Sequence, residues 1–173
     1  MGDRIMSFDW NMLEDAWVRA ATDALVGLAT AHPDERIYAG AFWMLYGDYS
    51  SIQVPAFGAN AESAAEGQRW APPDWAWSMG NDAHEHVRTL YDPLQDLEID
   101  EGAFEALWAE HIAMLGRVCR RVTSAMRAGD HAGAFTSAFF VGILDQSQDE
   151  ALAYLKQSAD EATLEAAGVL EVF

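Results

Sequence analysis

With 173 residues the chain has the length of one domain, since a domain commonly takes ~100–200. Its 28 acidic residues against 10 Lys and Arg give a formal charge of −18, a field that repels nucleic acid and anionic membrane. A hydrophobic fraction of 51%, with 7 Trp and 8 Phe, excludes a disordered chain, which is poor in aromatics.

A chain of this length hides roughly 70% of its unfolded surface, so a core forms without metals or disulfides. No apolar run approaches the ~20 residues of a membrane helix. Residues 1–7 (MGDRIMS) lack the apolar stretch and cleavage site of a signal peptide, so the expected address is the cytosol. The one cysteine, Cys119, leaves no internal disulfide. It falls on an apolar helical stripe and reads as a small core residue. A reactive thiol would need exposure and a cationic neighbour, and Arg120 and Arg121 point elsewhere on a helix.

The first predicted helix runs from Phe8 to Thr30. Leu13, Trp17, Ala20, Ala24, Leu25 and Leu28 recur at three- and four-residue steps. Ser7 is placed to cap it, Asp9, Glu14 and Asp15 suit its positive end, and His32-Pro33 ends it. Arg36 to Tyr46 is apolar on both faces and reads as a central strand. Gly47-Asp48 offers turn chemistry, and Ser51 to Phe57 alternates as the second strand of a hairpin, with Pro55 restricting it to an edge. Asn60 is expected to cap a short helix through Glu66.

Gln68 to Gly80 (QRWAPPDWAWSMG) is the most distinctive segment. Pro72-Pro73 imposes an extended turn, and Trp75 and Trp77 are expected to share one face of a short strand. Asp82 to Leu90 reads as a helical turn, broken by Asp92-Pro93. The second long helix spans Asp100 to Ala128, with Phe104, Leu107, Trp108, His111, Leu115, Val118, Cys119, Val122 and Met126 in one stripe and Gly129 after its end. Ala134 to Leu144 reads as a buried strand. Ser147 to Glu150 and Ser158 to Glu161 read as capping boxes that open two short helices. The sum is an α+β fold in one domain, residues 1–173: a small, mainly antiparallel sheet against two long helices and several short ones.

Chemistry-bearing motifs are sparse. His84-Glu85-His86 and Glu110-His111 offer metal-ligating types, but the zinc spacings of two His four apart or paired Cys are missing, so no metal and no cofactor is expected. No nucleophile elbow, Walker loop or dinucleotide fingerprint occurs, and the reading leans away from an enzyme. Arg117, Arg120, Arg121 and Arg127 gather near a helix C-terminus, where cations offset the macrodipole; a local anion site is the rival. Trp43 and Trp108 read as core. Arg69, Trp70, Asp74, Trp75 and Trp77 are the candidate binding residues, because exposed Trp anchors interfaces.

HPDERIYAGAFWML, VPAFGANAE and RWAPPDWAW resemble, over Asp34 to Met79, the bacterial domain-of-unknown-function family numbered 4303. The features that match are Tyr38-Ala39, Pro55-Ala56 with Asn60, and Trp70 through Trp75 around Pro72-Pro73-Asp74. The rest of the chain matches by general layout. The resemblance implies a small bacterial α+β protein with no assigned activity, supplies no catalytic residues, and suggests a partner or antidote of a toxin. The leading expectation is a non-enzymatic, immunity-like interaction protein that docks a basic protein partner. The rival is a small-molecule-binding protein or enzyme with an aromatic cleft near Trp70, Trp75 and Trp77. A homodimer that buries its sheet edge or the Trp segment is a third reading.

Overall fold

The computed structural model describes residues 8–65, 69–78 and 85–173. Helix α1 (Trp10–Ala31) starts at Asp9, whose carboxylate accepts from the N–H groups of Asn11 and Met12 at 3.1 and 3.0 Å. Asp9 therefore performs the capping expected of Ser7, which lies outside the described residues. Leu13, Trp17, Ala21, Leu25 and Ala29 are its buried stripe, and it ends at His32, ahead of Pro33. Helix α3 (Glu101–Ala128) starts at Asp100, which caps the Ala103 N–H at 2.9 Å, and closes at Gly129.

Strand β1 (Ile37–Trp43) is buried at every position, as a strand covered on both faces must be. The hairpin differs from its expected register. Gly47–Asp48 (β2) pairs only with Ser51–Ile52 (β3), as a separate two-stranded ribbon. The true antiparallel partner of β1 is β4 (Ala56–Ala61), which begins immediately after Pro55. Met44, at φ 56°, turns the chain out of β1 and ends the ladder before Tyr46. Asn60 is consequently a buried strand residue and caps nothing, and a 3-10 turn at Glu62–Ala64 follows where a helix was expected.

The main sheet has the order β5-β4-β1-β6, with β5 at Trp77–Ser78 and β6 at Phe135–Ile143. Two of its pairings are antiparallel, and β1 with β6 is parallel. A parallel pair needs a long crossover, and α3 lies in that connection. One face carries Phe42, Phe57, Val141 and Ile143 under α1 and α3. The other carries Ala41, Trp43, Phe140 and Leu144 under α4 (Ala151–Ser158) and α5 (Glu161–Ala167), through Leu155 and Leu164. The short helix α2 (Glu85–Leu90) adds Val87 to the first core.

Neither capping box forms. Ser147 donates its N–H and hydroxyl to Asp145, and α4 starts at Glu150 without a side-chain cap. Asp160, not Ser158, caps α5, accepting from the Thr163 N–H at 2.8 Å. Ser158 instead accepts from the Ile143 N–H at 2.9 Å, and the Thr123 hydroxyl accepts from the Val141 N–H at 2.8 Å. Arg127 donates to the Phe139 carbonyl at 2.9 Å. These side chains occupy the outward polar groups of β6, which otherwise template edge-to-edge pairing. Among the described residues, no helix is long and apolar enough to cross a membrane.

Candidate functional site

The proline pair shapes the surroundings of Arg69 and Trp70. Proline fixes φ near that of a tight turn and gives up an N–H, and Pro72–Asp74 forms a 3-10 turn there. The turn folds Trp75 back, so that its ring N–H donates to the Arg69 carbonyl at 3.1 Å; the Tyr38 hydroxyl donates to the same oxygen. Trp70 and Trp75 are each only 6% exposed and pack with Tyr38 and Phe140 in the second core. Only Trp77–Ser78 is strand, so the period of two does not extend to Trp75. Trp77 packs toward the opposite core, stacked on His32 at 4.8 Å between ring centroids. The two tryptophans thus sit on different faces, contrary to the expected shared one. Asp74 is exposed on the turn.

The Arg69 guanidinium lies 4.0 Å from the centre of the Tyr38 ring and 5.3 Å from that of Trp70. It donates to both carboxylate oxygens of Glu62, at 2.9 and 2.8 Å. Those bonds hold the Glu62 carboxyl below its ordinary range and raise Arg69. Burial raises the Tyr38 phenol, against the lowering effect of the Asn60 amide, which donates to it at 3.1 Å. Both neighbours of β1 break register between Ile37 and Ala39, and β6 advances from Phe135 to Phe140 over that step. The irregularity opens a cavity of about 210 Å³ lined by Tyr38, Glu62, Arg69, Trp70, Thr136 and Ser137. A neutral ion pair beside a protonated phenol suits recognition of a small polar group. Trp77 lines a different groove, of about 460 Å³, with Ala20, Ala24 and Leu28. Among the described residues, then, Trp70, Trp75 and Trp77 do not converge on one cleft.

The other chemistry-bearing residues are drawn into the fold. His111 is fully buried, with Nε2 2.9 Å from the Tyr91 hydroxyl, which accepts from Trp17 Nε1 at 3.0 Å. Burial pushes its pKa down to about 3, so the ring is neutral. His86, Glu85 and Glu110 are exposed, while His84 lies outside the described residues. Among the described residues, no group of three His, Cys, Asp or Glu is placed to hold a metal. Cys119 is buried in the main core, where burial pushes the thiol up to about 12.

Each member of the arginine cluster has an internal partner. Arg117 and Arg121 donate to Glu14 at 2.7 and 2.9 Å, and Arg121 also reaches Asp15 at 2.8 Å. Burial alone would raise the Glu14 carboxyl, but these bonds outweigh it and hold it below its ordinary value. Arg120 donates to the Gln157 carbonyl, and Arg127 to that of Phe139. They cross-link helices and sheet rather than forming an anion site.

A second surface had no signal in the pattern of the chain. Met44, Tyr46 and Tyr49 are 65%, 57% and 58% exposed, all on the loop that leaves β1. The loop is tied down by three hydrogen bonds. The buried Asp145 carboxylate accepts the Leu45 N–H at 2.7 Å, Gln148 donates to the Leu45 carbonyl at 2.7 Å, and the Tyr46 carbonyl accepts the Gln53 N–H at 2.9 Å. Tyr46 reads in sequence as a strand end, and Tyr49 lies just past the Gly47-Asp48 turn. Only their placement on a ribbon beside α3 exposes them. Comparison with profiles of known families, with curated proteins and with solved structures returns no match.

Proposed function

We propose that the chain is an acidic interaction protein that docks a basic protein partner and performs no chemistry of its own. The observation that carries this reading is the division of charge. Arg36, Arg69, Arg117, Arg120, Arg121 and Arg127 all donate to partners within the chain. Among the described residues, most acidic side chains stand exposed and only Glu14, Asp15 and Glu62 pair with arginine, within a formal charge of −18. Opposite charge on a partner raises the rate of encounter and selects against acidic competitors. The resemblance to family 4303 and its immunity-like association is in keeping with this role.

The test is affinity capture of host proteins on the immobilised chain, eluted by a salt gradient. Basic proteins retained at 50 mM NaCl and released by about 500 mM are the expected result, since the screening length falls several-fold over that range. A column that retains no basic protein at low salt removes the reading.

The cavity beside Arg69 and Trp70 favours a second reading, in which a small polar molecule binds there. Titration of metabolite pools while tryptophan emission is followed tests it. A saturable change that Arg69→Ala abolishes supports it, and an unchanged spectrum removes it.

A further inference from the structure

Resting on the interaction reading above, we infer that the loop carrying Met44, Tyr46 and Tyr49 is the docking face, and that its occupant is an arginine-rich segment of a basic protein. The three side chains are the largest group of exposed apolar residues on one described segment. Tyr and Met are the types that interfaces favour, and Tyr orders at low entropic cost. A residue other than glycine at φ 56° is uncommon. Here the hydrogen bond from Leu45 to Asp145 and those from Gln148 and Gln53 to the Leu45 and Tyr46 carbonyls hold the segment in place, so it is presented pre-formed.

The rim identifies the occupant. Tyr49 donates to Glu101 at 2.9 Å and packs its ring 5.5 Å from that of Phe104, and the Glu105 charge acts on its phenol. Asp48 lies in the ribbon itself, Asp96 and Glu98 flank Leu97, whose N–H bonds the Ser50 carbonyl at 2.5 Å, and all are exposed. The stretches that carry these contacts, residues 44–53, 95–105 and 145–148, contain no Lys or Arg, while Arg88 stands in the adjoining groove with Gln53 and Gln95. Guanidinium groups pair with carboxylates through two parallel bonds and stack on tyrosine rings, whereas a lysine offers a compact, strongly hydrated charge without the planar fork. A second copy of this chain would meet carboxylates with carboxylates and is repelled here.

The probe is a fluorescein-labelled arginine–glycine repeat peptide, with its lysine counterpart, titrated into the full chain at 50 mM NaCl. Three chains are compared: wild type, Tyr46→Ala/Tyr49→Ala, and Asp23→Asn/Asp130→Asn. The last removes two exposed charges remote from the loop: Asp130 lies beyond the end of α3, whose 28 residues separate it from Tyr49's contact at the first turn by about 40 Å, and Asp23 stands on α1 two turns past Asp15, which pairs with Arg121 in the far half of α3. Thermal melts confirm that each is folded, and Tyr46→Ala alone, whose side chain makes no hydrogen bond among the described residues, serves if the double variant melts early. The expected result is at least fivefold weaker arginine-peptide binding for the Tyr variants, under twofold for the remote charge variant, and weaker binding of the lysine peptide throughout. Equal binding by wild type and the Tyr variants overturns the docking face and leaves the interaction reading standing. No binding of either peptide at low salt overturns both. A wild-type dimer in sedimentation that Tyr46→Ala disperses assigns the face to self-association and overturns the basic occupant.

Discussion

At the residue scale, the ring of His111 lies inside the main core, and its Nδ1 has no partner among the described residues. A neutral imidazole held at a pKa of about 3, against 6.5 when unfolded, makes the unfolded chain the one that binds protons between those values. Stability therefore rises with pH through that window and falls as acid is added. The expected loss from this residue between pH 6.5 and 5 is about 2 kcal/mol. Urea unfolding of wild type and His111→Phe at both values measures it; equal pH slopes for the two chains would refute the assignment. The same residue is why a metal-ligand reading of Glu110-His111 had no force: neighbours in sequence on a helix point apart, and Glu110 faces solvent while His111 faces the core. Asn60 and Ser147 misled for a related reason. Both are residue types that cap helices, but each found its hydrogen bond elsewhere, with Tyr38 and Asp145 respectively.

At the element scale, close approach of backbone decides where glycine is required. A Cβ on Gly58 would sit 2.5 Å from the Trp77 carbonyl oxygen and 2.9 Å from the Trp43 ring, because β5 and Trp43 press on β4 there. Gly27, on the exposed side of α1, would meet nothing within 4 Å. Gly58→Ala is expected to destabilise by about 1–3 kcal/mol, and Gly27→Ala to stabilise by up to about 1 kcal/mol, as measured by chemical denaturation. A tolerated Gly58→Ala would contradict the packing of β5 on β4. The two long helices were legible because a three-and-four stripe over more than twenty residues has one solution. The hairpin was not. Ser51 to Phe57 carries an alternating pattern as good as that of Ala56 to Ala61, and only the positive φ at Met44 and the burial of Gly58, Ala59 and Asn60 against β1 selected the latter.

For the whole molecule, the charge of −18 is distributed over an exterior on which most arginines are engaged by partners within the chain. Self-repulsion of that kind opposes the compact state and is screened by salt. Relief of about 1–2 kcal/mol between 10 and 300 mM NaCl is expected, a rise in Tm of roughly 2–8 °C for a chain of this size. Differential scanning fluorimetry reads it directly, and a Tm that falls with salt would show that the ion pairs of Glu14 with Arg117 and Arg121 outweigh the repulsion. Thr123, Arg127 and Ser158 act on the same scale: they engage three outward polar groups of β6, at Val141, Phe139 and Ile143, and leave fewer of them open to a second strand.

Composition and periodicity by themselves determined the α+β class, the two long helices, the central buried strand and the acidic exterior, because each depends on residue type and spacing along the chain. Tertiary structure alone decided which tryptophans meet, which arginines are neutralised, and that Met44, Tyr46 and Tyr49 stand exposed. Those outcomes depend on contacts between residues up to about a hundred positions apart, such as Leu45 with Asp145 and Glu14 with Arg117, and no local pattern encodes a pairing over that distance.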